Sequence, residues 1–206
     1  MSKNREIEAK TILKREVYDD LVKNFDHKAD FKQENYYFDT PDWLLKTHNI
    51  GLRIRIFSDH AEQTMKVPDP RPVQTDFHEV IEINDDLSVQ KAKKMVQQAK
   101  DGQMFTFAGN VGIYLQEHFA KESSKLVLFT WSKTRRILAN GPQNCELTLD
   151  STSYPDSFCD YELEIENTNP ALIKKVQEKL ERKYHFKQTA ASTNQNKIAR
   201  ATAHRK

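Results

Sequence analysis

Apolar positions along this chain recur mostly at every second residue, with a few stretches at helical spacing. In EIEAKTIL, residues 6–13, Glu6, Glu8 and Lys10 share one side and Ile7, Ala9 and Thr11 the other, because side chains alternate across an extended strand. The next segment, REVYDDLVKNF, places Val17, Leu21, Val22 and Phe25 along one helical stripe. Strands are predicted at KQENYYFDT, IGLRIRIF, EQTMKV and FHEVIEIN, with a turn at 40–42, another around WLLKT, and a loop at PDPRP. Residues 87–100 and 109–119 carry helical patterns, and AKESSK closes that middle block. Strands return at KLVLFTWSKTRRILAN, ELTLD and FCDYELEIE. Asn169 and Pro170 have the chemistry of a helix cap and first helical position, opening a helix that runs to Tyr184. The tail, STNQNKIARATAHRK, reads as helical or irregular.

The faces of these strands differ in sign as well as polarity. Arg53 and Arg55 share a face opposite Leu52, Ile54 and Ile56; Lys133 and Arg135 share another; Glu162, Glu164 and Glu166 lie opposite Tyr161, Leu163 and Ile165. An antiparallel sheet with one face on helices and a charged face in water accounts for the alternation. It does not account for whole strands of one sign, since like charges two residues apart repel. A bound cation would offset the carboxylates, and a bound polyanion the basic groups. If the sheet closes with these faces inward, it encloses a polar cavity with one acidic and one basic wall. Glutamate oxygens are hard ligands suited to Mg²⁺ or Mn²⁺ rather than zinc, while Arg and Lys suit phosphate oxygens.

Composition narrows the picture. With 206 residues the chain is long enough to bury its own core as one domain, 1–206. Its 32 Lys and Arg against 30 Asp and Glu leave a net charge of +2, which does not call for nucleic acid. MSKNREIEAK lacks the apolar core of a signal peptide, and no stretch approaches the roughly 18 apolar residues of a membrane span. The expectation is a cytoplasmic protein without membrane contact. Cys145 and Cys159 are expected as buried, reduced thiols, with a disulfide between neighbouring strands as the alternative. His27, His48, His60 and His118 lack zinc-like spacing and read as surface or structural residues. Trp43, Trp131 and the pair Tyr36 and Tyr37 are expected in the core or on the sheet exterior.

The ordered series of charged strands resembles the CYTH superfamily, the triphosphate tunnel metalloenzymes, which include thiamine triphosphatases, inorganic tripolyphosphatases, class IV adenylate cyclases and fungal RNA triphosphatases. EIEAK is similar to its N-terminal ExExK signature, and YYFDTPDWLL followed by GLRIRI to its DT(P)…L…LRxR stretch. TMKVP, KTRRIL, ELTLD and YELEIE resemble its lysine strand, basic KxR strand, aspartate strand and ExExE strand, and NQNKIAR places Lys197 at its late lysine. The match spans residues 6 to 197.

The resemblance implies an α+β fold: a closed antiparallel eight-stranded β-barrel forming a tunnel, flanked by helices. It implies a catalytic set of Glu6, Glu8, Lys10, Glu162 and Glu164. Metal ligands would come from Glu6, Glu8, Asp150, Glu162, Glu164 and Glu166, holding Mg²⁺ or Mn²⁺. Phosphate contacts would come from Lys10, Arg53, Arg55, Lys66, Lys133, Arg135 and Lys197. In the FHEVIEIN strand, Glu79 is taken over Glu82 as the acidic residue; their parity puts them on opposite faces. Arg135 is taken over Arg136 for its pairing with Lys133.

The activity so implied is metal-dependent hydrolysis of a small-molecule triphosphate: inorganic triphosphate, thiamine triphosphate or a nucleoside triphosphate. No motif reads a nucleobase or a thiazolium ring, so inorganic triphosphate is the simplest substrate. An adenylate cyclase releasing cyclic AMP and pyrophosphate is the enzymatic alternative, and a polyphosphate or nucleotide sensor without turnover the non-enzymatic one. RNA-end processing would call for salt-sensitive RNA affinity, which the charge balance does not favour.

Overall fold

The computed structural model describes residues 2–74, 77–189 and 196–205. Its strands are β1 (Ser2–Leu13), β2 (His27–Asp39), β3 (Gly51–Ile56), β4 (Ala61–Pro68), β5 (His78–Leu87), β6 (Val127–Asn140), β7 (Glu146–Ser153) and β8 (Cys159–Glu166). They pair antiparallel throughout and close in the order β1-β5-β4-β3-β2-β6-β7-β8. The eight-stranded antiparallel barrel that the family resemblance implies is therefore the observed architecture. Two strands start earlier than the sequence pattern indicates, β1 at Ser2 and β2 at His27, because β5 and the long β6 supply pairing partners there.

The helices are α1 (Arg15–Asn24), α2 (Leu44–Thr47), α3 (Val89–Lys100), α4 (Gly109–Phe119), α5 (Pro170–Tyr184) and α6 (Lys197–Ala203). Side chains set their starts. Ser88 accepts the Lys91 amide at 3.2 Å to open α3, and Asn169 accepts the Ala171 amide at 3.0 Å with Pro170 in the first turn of α5. Asp85 accepts the amides of Asn110 and Val111, both at 2.9 Å, and so ties α4 to β5. Gly109, at φ +62°, is required there: a Cβ would meet the Asp85 carboxylate at 2.5 Å. Asp39 is buried at the end of β2 and accepts the amides of Leu45 at 2.9 Å and Lys46 at 3.0 Å, folding the DTPDWLLK stretch into α2 beside β3.

The apolar face of every strand is turned out of the barrel. Leu52, Ile54, Met65 and Ile83 pack under α3 and α4 with Ala92, Val96, Val111 and Leu115. On the other side Ala9, Leu147, Leu149, Leu163 and Ile165 pack under α1 and α5 with Leu21, Ile173, Val176 and Leu180. Two apolar cores thus lie outside the sheet, and the polar faces have only the barrel interior left to them.

One end of the interior is closed by α6. Ala201 is buried with Tyr37 and Tyr154, the Thr130 hydroxyl donates to the Ala201 carbonyl at 2.9 Å, and Ile198 lies 4.0 Å from the Cβ position of Gly51. Arg200 Nε donates to Asp160 Oδ2 at 2.7 Å, and the Tyr154 hydroxyl donates to the same oxygen at 2.7 Å. Arg205 stacks over the Trp43 ring at 5.1 Å.

One expectation is corrected here. Cys145 is buried but Cys159, at the first position of β8, is exposed; both are free thiols. Tyr37 is buried with Tyr154 and Ala201, within the expectation of a core position, and its hydroxyl lies 3.1 Å from Ser132 Oγ on the face opposite Tyr36, since adjacent residues on a strand take opposite faces. Among the described residues no helix is long and apolar enough to cross a membrane.

Candidate functional site

Strand register brings the charged positions onto one inner surface. Across β1 and β8, Glu8 stands opposite Glu166 and Lys10 opposite Glu164; β8 then sets Glu162 opposite Asp150, and β7 sets Asp150 opposite Arg136. On the other wall Gly51 faces Lys66, Arg53 faces Thr64, and Lys66 faces Glu82. Directly paired residues share a face, so these groups converge on a cavity of about 160 Å³. Its lining includes Glu6, Glu8, Lys10, Arg53, Arg55, Lys66, Glu82, Arg136, Glu164, Glu166 and Lys197.

The groups are knitted by ion pairs. Lys10 Nζ lies 2.7 Å from Glu8 and 3.8 Å from Glu164. Lys66 Nζ lies 2.5 Å from Glu6 and 3.1 Å from Glu82, and Arg53 reaches Glu82 at 3.9 Å. Arg55 donates to Glu62 at 2.9 Å and to Asn35 at 3.1 Å. Lys197, at the start of α6, contacts Asp150 and lies 2.9 Å from Glu162 and 3.7 Å from Glu164.

These contacts divide the carboxylates into two kinds. Burial raises the carboxyl of Glu82, but Lys66, Arg53 and Arg55 outweigh it and hold the group well below its ordinary range. Burial likewise works against ionised Glu164, and Lys197, Arg136 and Lys10 overcome it. Glu166 is different: burial, then the neighbouring charges of Glu8 and Glu164, push its carboxyl up to about 8. Arg55 is drawn down to about 10 by burial and by Arg53 beside it. At Glu166, burial and the neighbouring carboxylates thus outweigh the opposing charge of Arg136.

Two groups of carboxylates bring one oxygen each to within 4.8 Å of one another: Glu8, Glu164 and Glu166, and Asp150, Glu162 and Glu164. Both are all-oxygen donor sets of the kind that fits Mg²⁺ or Mn²⁺. Buried polar atoms on the basic wall without a hydrogen-bond partner, Arg53 Nε, Thr64 Oγ1 and Asn35 Nδ2, fit a polar ligand in the same space.

Three sequence-derived candidates lie outside the barrel. Arg135 pairs with Asp30 at 2.6 Å and is 47% exposed, whereas Arg136 faces inward, is 16% exposed, and grips Asp150. Lys133 shares the outer face, 3.0 Å from Glu34. The signal that finds Arg136 is the alternation of Thr130, Ser132 and Thr134, whose parity it shares and which are all buried. Glu79 also points away from the cavity, accepting the Val73 amide at 3.0 Å; Glu82, in register with Lys66, is the inward residue. Apolar Ile81 and Ile83, on the outer side of the same strand, mark that parity. Arg200, which reaches Glu162 at 2.5 Å from α6, closes the NQNKIAR stretch but is not singled out by it, and Glu62 lies in no motif.

The CYTH-domain family model matches residues 4–200. The chain belongs to the CYTH family. A search of curated proteins gives no match. Among solved structures, the CYTH chain is similar to a candidate adenylate cyclase from Bacillus halodurans, with TM-score 0.81 and 28% identity over 97% of this chain and 98% of that one. It also shares its fold with a candidate adenylyl cyclase from Hippeastrum that has a dominant triphosphatase activity, at TM-score 0.77 and 20% identity, covering 96% of this chain and 95% of that one.

Proposed function

We propose that this CYTH protein, read as one domain over residues 1–206, is a cytoplasmic divalent-metal-dependent triphosphatase acting on a linear triphosphate inside the barrel. The observation that carries the reading is the opposition of two walls across one cavity, carboxylates on β1 and β8 against Arg and Lys on β3, β4 and β6. Glu8, Glu164 and Glu166, with Glu6 beside them, would hold Mg²⁺ or Mn²⁺; such an ion supplies Lewis-acid stabilisation of phosphate oxygens when bound.

The remaining work falls to side chains of the chain itself. Arg53, Arg55 and Lys66 bind successive phosphate oxygens, the guanidinium groups in forked fashion. Lys10, Arg136 and Lys197 stabilise the charge that builds up on the transferred and leaving phosphates, while the carboxylates orient water in line with the scissile bond. Asp150, clamped by Arg136 and Lys197, positions those two cations. Glu82 does the same for Lys66 and Arg53. Among the described residues Tyr37 is the one aromatic side chain of the lining, and its hydroxyl is held against Ser132. Inorganic triphosphate is accordingly the substrate best matched to the lining.

Purified protein incubated with inorganic triphosphate, thiamine triphosphate or ATP, each with Mg²⁺, Mn²⁺ or EDTA, tests this reading. The expected result is metal-dependent orthophosphate release, fastest from inorganic triphosphate. Cyclic AMP and pyrophosphate from ATP would make the protein a cyclase; metal-dependent triphosphate binding without turnover would make it a receptor.

A further inference from the structure

The basic residues that the tunnel does not use line a second cavity. Lys133 and Arg135 face out of the barrel, into a groove of about 640 Å³ that shares no lining residue with the tunnel cavity. Cross-strand register lays two rows of side chains over β2, β6 and β7: Glu34, Lys133 and Ser153 in one, Lys32, Arg135 and Ser151 in the other. Ile56 and Phe57 at the end of β3, with Val89 and Lys93 from the start of α3, also line it.

Charge in this groove is one-sided. Four cations, Lys32, Lys93, Lys133 and Arg135, stand against the single carboxylate of Glu34. Glu34 is already engaged, 3.0 Å from Lys133 Nζ and accepting the Tyr36 hydroxyl at 2.6 Å, and Arg135 is paired with Asp30 at 2.6 Å. Lys32 and Lys93 are exposed and make no ion pair among the described residues. Lys32 moreover stands directly across from Arg135, and like charges directly opposite destabilise a strand pair. An anion bound beside them offsets that repulsion.

The other lining groups set the class of anion. The hydroxyls of Ser58, Ser151 and Ser153 lie among the ammonium and guanidinium groups, a donor set that suits the several oxygens of a phosphoryl group. Ile56, Phe57 and Val89 are apolar and suit a flat body carried by that phosphate. The volume also falls within the roughly 300–1,000 Å³ of small-molecule pockets.

We infer that this groove is a second ligand site, separate from the tunnel, which takes a small organic phosphate of the nucleoside monophosphate class, its phosphate among the cations and its ring against Ile56, Phe57 and Val89. The inference holds whether or not the tunnel hydrolyses triphosphate.

Isothermal titration calorimetry of the full chain with adenosine 5′-monophosphate, in EDTA, tests it. Wild type and Arg55→Ala, whose substitution lies in the tunnel, are expected to bind the monophosphate equally well at a single site. Lys32→Glu and Lys93→Glu are each expected to weaken binding about tenfold or more and to leave metal-dependent triphosphate turnover unchanged. Ribose 5-phosphate and adenosine, each lacking one half of the ligand, are expected to bind about tenfold or more weakly than the whole. Lys93→Ala replaces Lys93→Glu if that variant fails to fold. No binding of the monophosphate, binding lost in Arg55→Ala but kept in both lysine variants, or inorganic phosphate binding as tightly as the monophosphate would each overturn the inference.

Discussion

Arg136 and Asp150 face each other across β6 and β7 and form a two-pronged contact, Nε to Oδ1 at 2.9 Å and Nη2 to Oδ2 at 2.6 Å, while the same Nη2 reaches Glu164 at 3.0 Å. One guanidinium thus joins the aspartate strand to the ExExE strand. Its neighbour Arg135 makes an equally good fork with Asp30 on the outside of the barrel.

This pair makes a sharp comparison. Arg136→Lys keeps the charge but loses the fork, and kcat on triphosphate is expected to fall about tenfold or more. Arg135→Ala removes an exposed ion pair, for which exposed pairs contribute about 0–1 kcal/mol, and activity is expected to stay within about twofold of wild type. Steady-state kinetics on the two variants reads both outcomes.

Glu82 and Glu79 offer a second comparison. Glu82→Gln weakens the hold on Lys66 and Arg53, so KM for triphosphate is expected to rise several-fold. Glu79→Gln, which touches the 73–74 segment and not the cavity, is expected to leave KM unchanged.

The raised carboxyl of Glu166 gives a pH dependence of definite sign. Its folded value of about 8 exceeds the ordinary 4.5, so the folded chain holds the proton more tightly than the unfolded one. That contribution to stability is fully present below pH 4.5 and is lost as pH rises through about 8. Metal-free wild type is therefore expected to lose Tm between pH 5 and 9 more steeply than Glu166→Gln. Mn²⁺ affinity, which needs the carboxylate, is expected to rise over the same interval in wild type alone. Thermal melts and Mn²⁺ titrations at matched pH check the two halves.

Arg200 is 6% exposed and sits between Asp160 and Glu162. Arg200→Ala takes the cation from buried Asp160 and leaves Glu162 with Lys197 alone, a loss on the order of 3 kcal/mol. A fall in Tm of roughly 10 °C is expected in a melting experiment, together with loss of the Arg205 contact from the Trp43 fluorescence environment as α6 detaches.

Much of this was readable from alternation alone. On β3, β8 and residues 6–10 of β1 the charged and apolar positions keep strict parity, which assigns Glu6, Glu8, Lys10, Arg53, Arg55, Glu162 and Glu164 to one surface from sequence alone. Parity failed where two like residues are adjacent or an odd interval apart. Arg135 and Arg136 are equally basic, and Glu79 and Glu82 equally acidic; the deciding evidence was the identity of their uncharged neighbours, Thr130, Ser132 and Thr134 on one strand and Ile81 and Ile83 on the other. The seating of α6 was not readable, because it depends on contacts between residues far apart in the chain, such as Arg200 with Asp160 and Thr130 with Ala201. Cys159 was misplaced for a related reason: it lies at the very start of β8, where the strand has not yet entered the packed part of the sheet.

With apolar cores outside the sheet and charges inside it, the same strands serve two masters at alternate residues. Mutational drift at one parity alters how firmly the helices are glued on, and drift at the other alters what the lumen recognises, so affinity can be retuned with the scaffold left alone. The vulnerability of such a plan is to insertion. One extra residue in β8 would turn Glu162 and Glu164 towards the Leu180 side and send Leu163 and Ile165 into the lumen, exchanging the two roles in a single step.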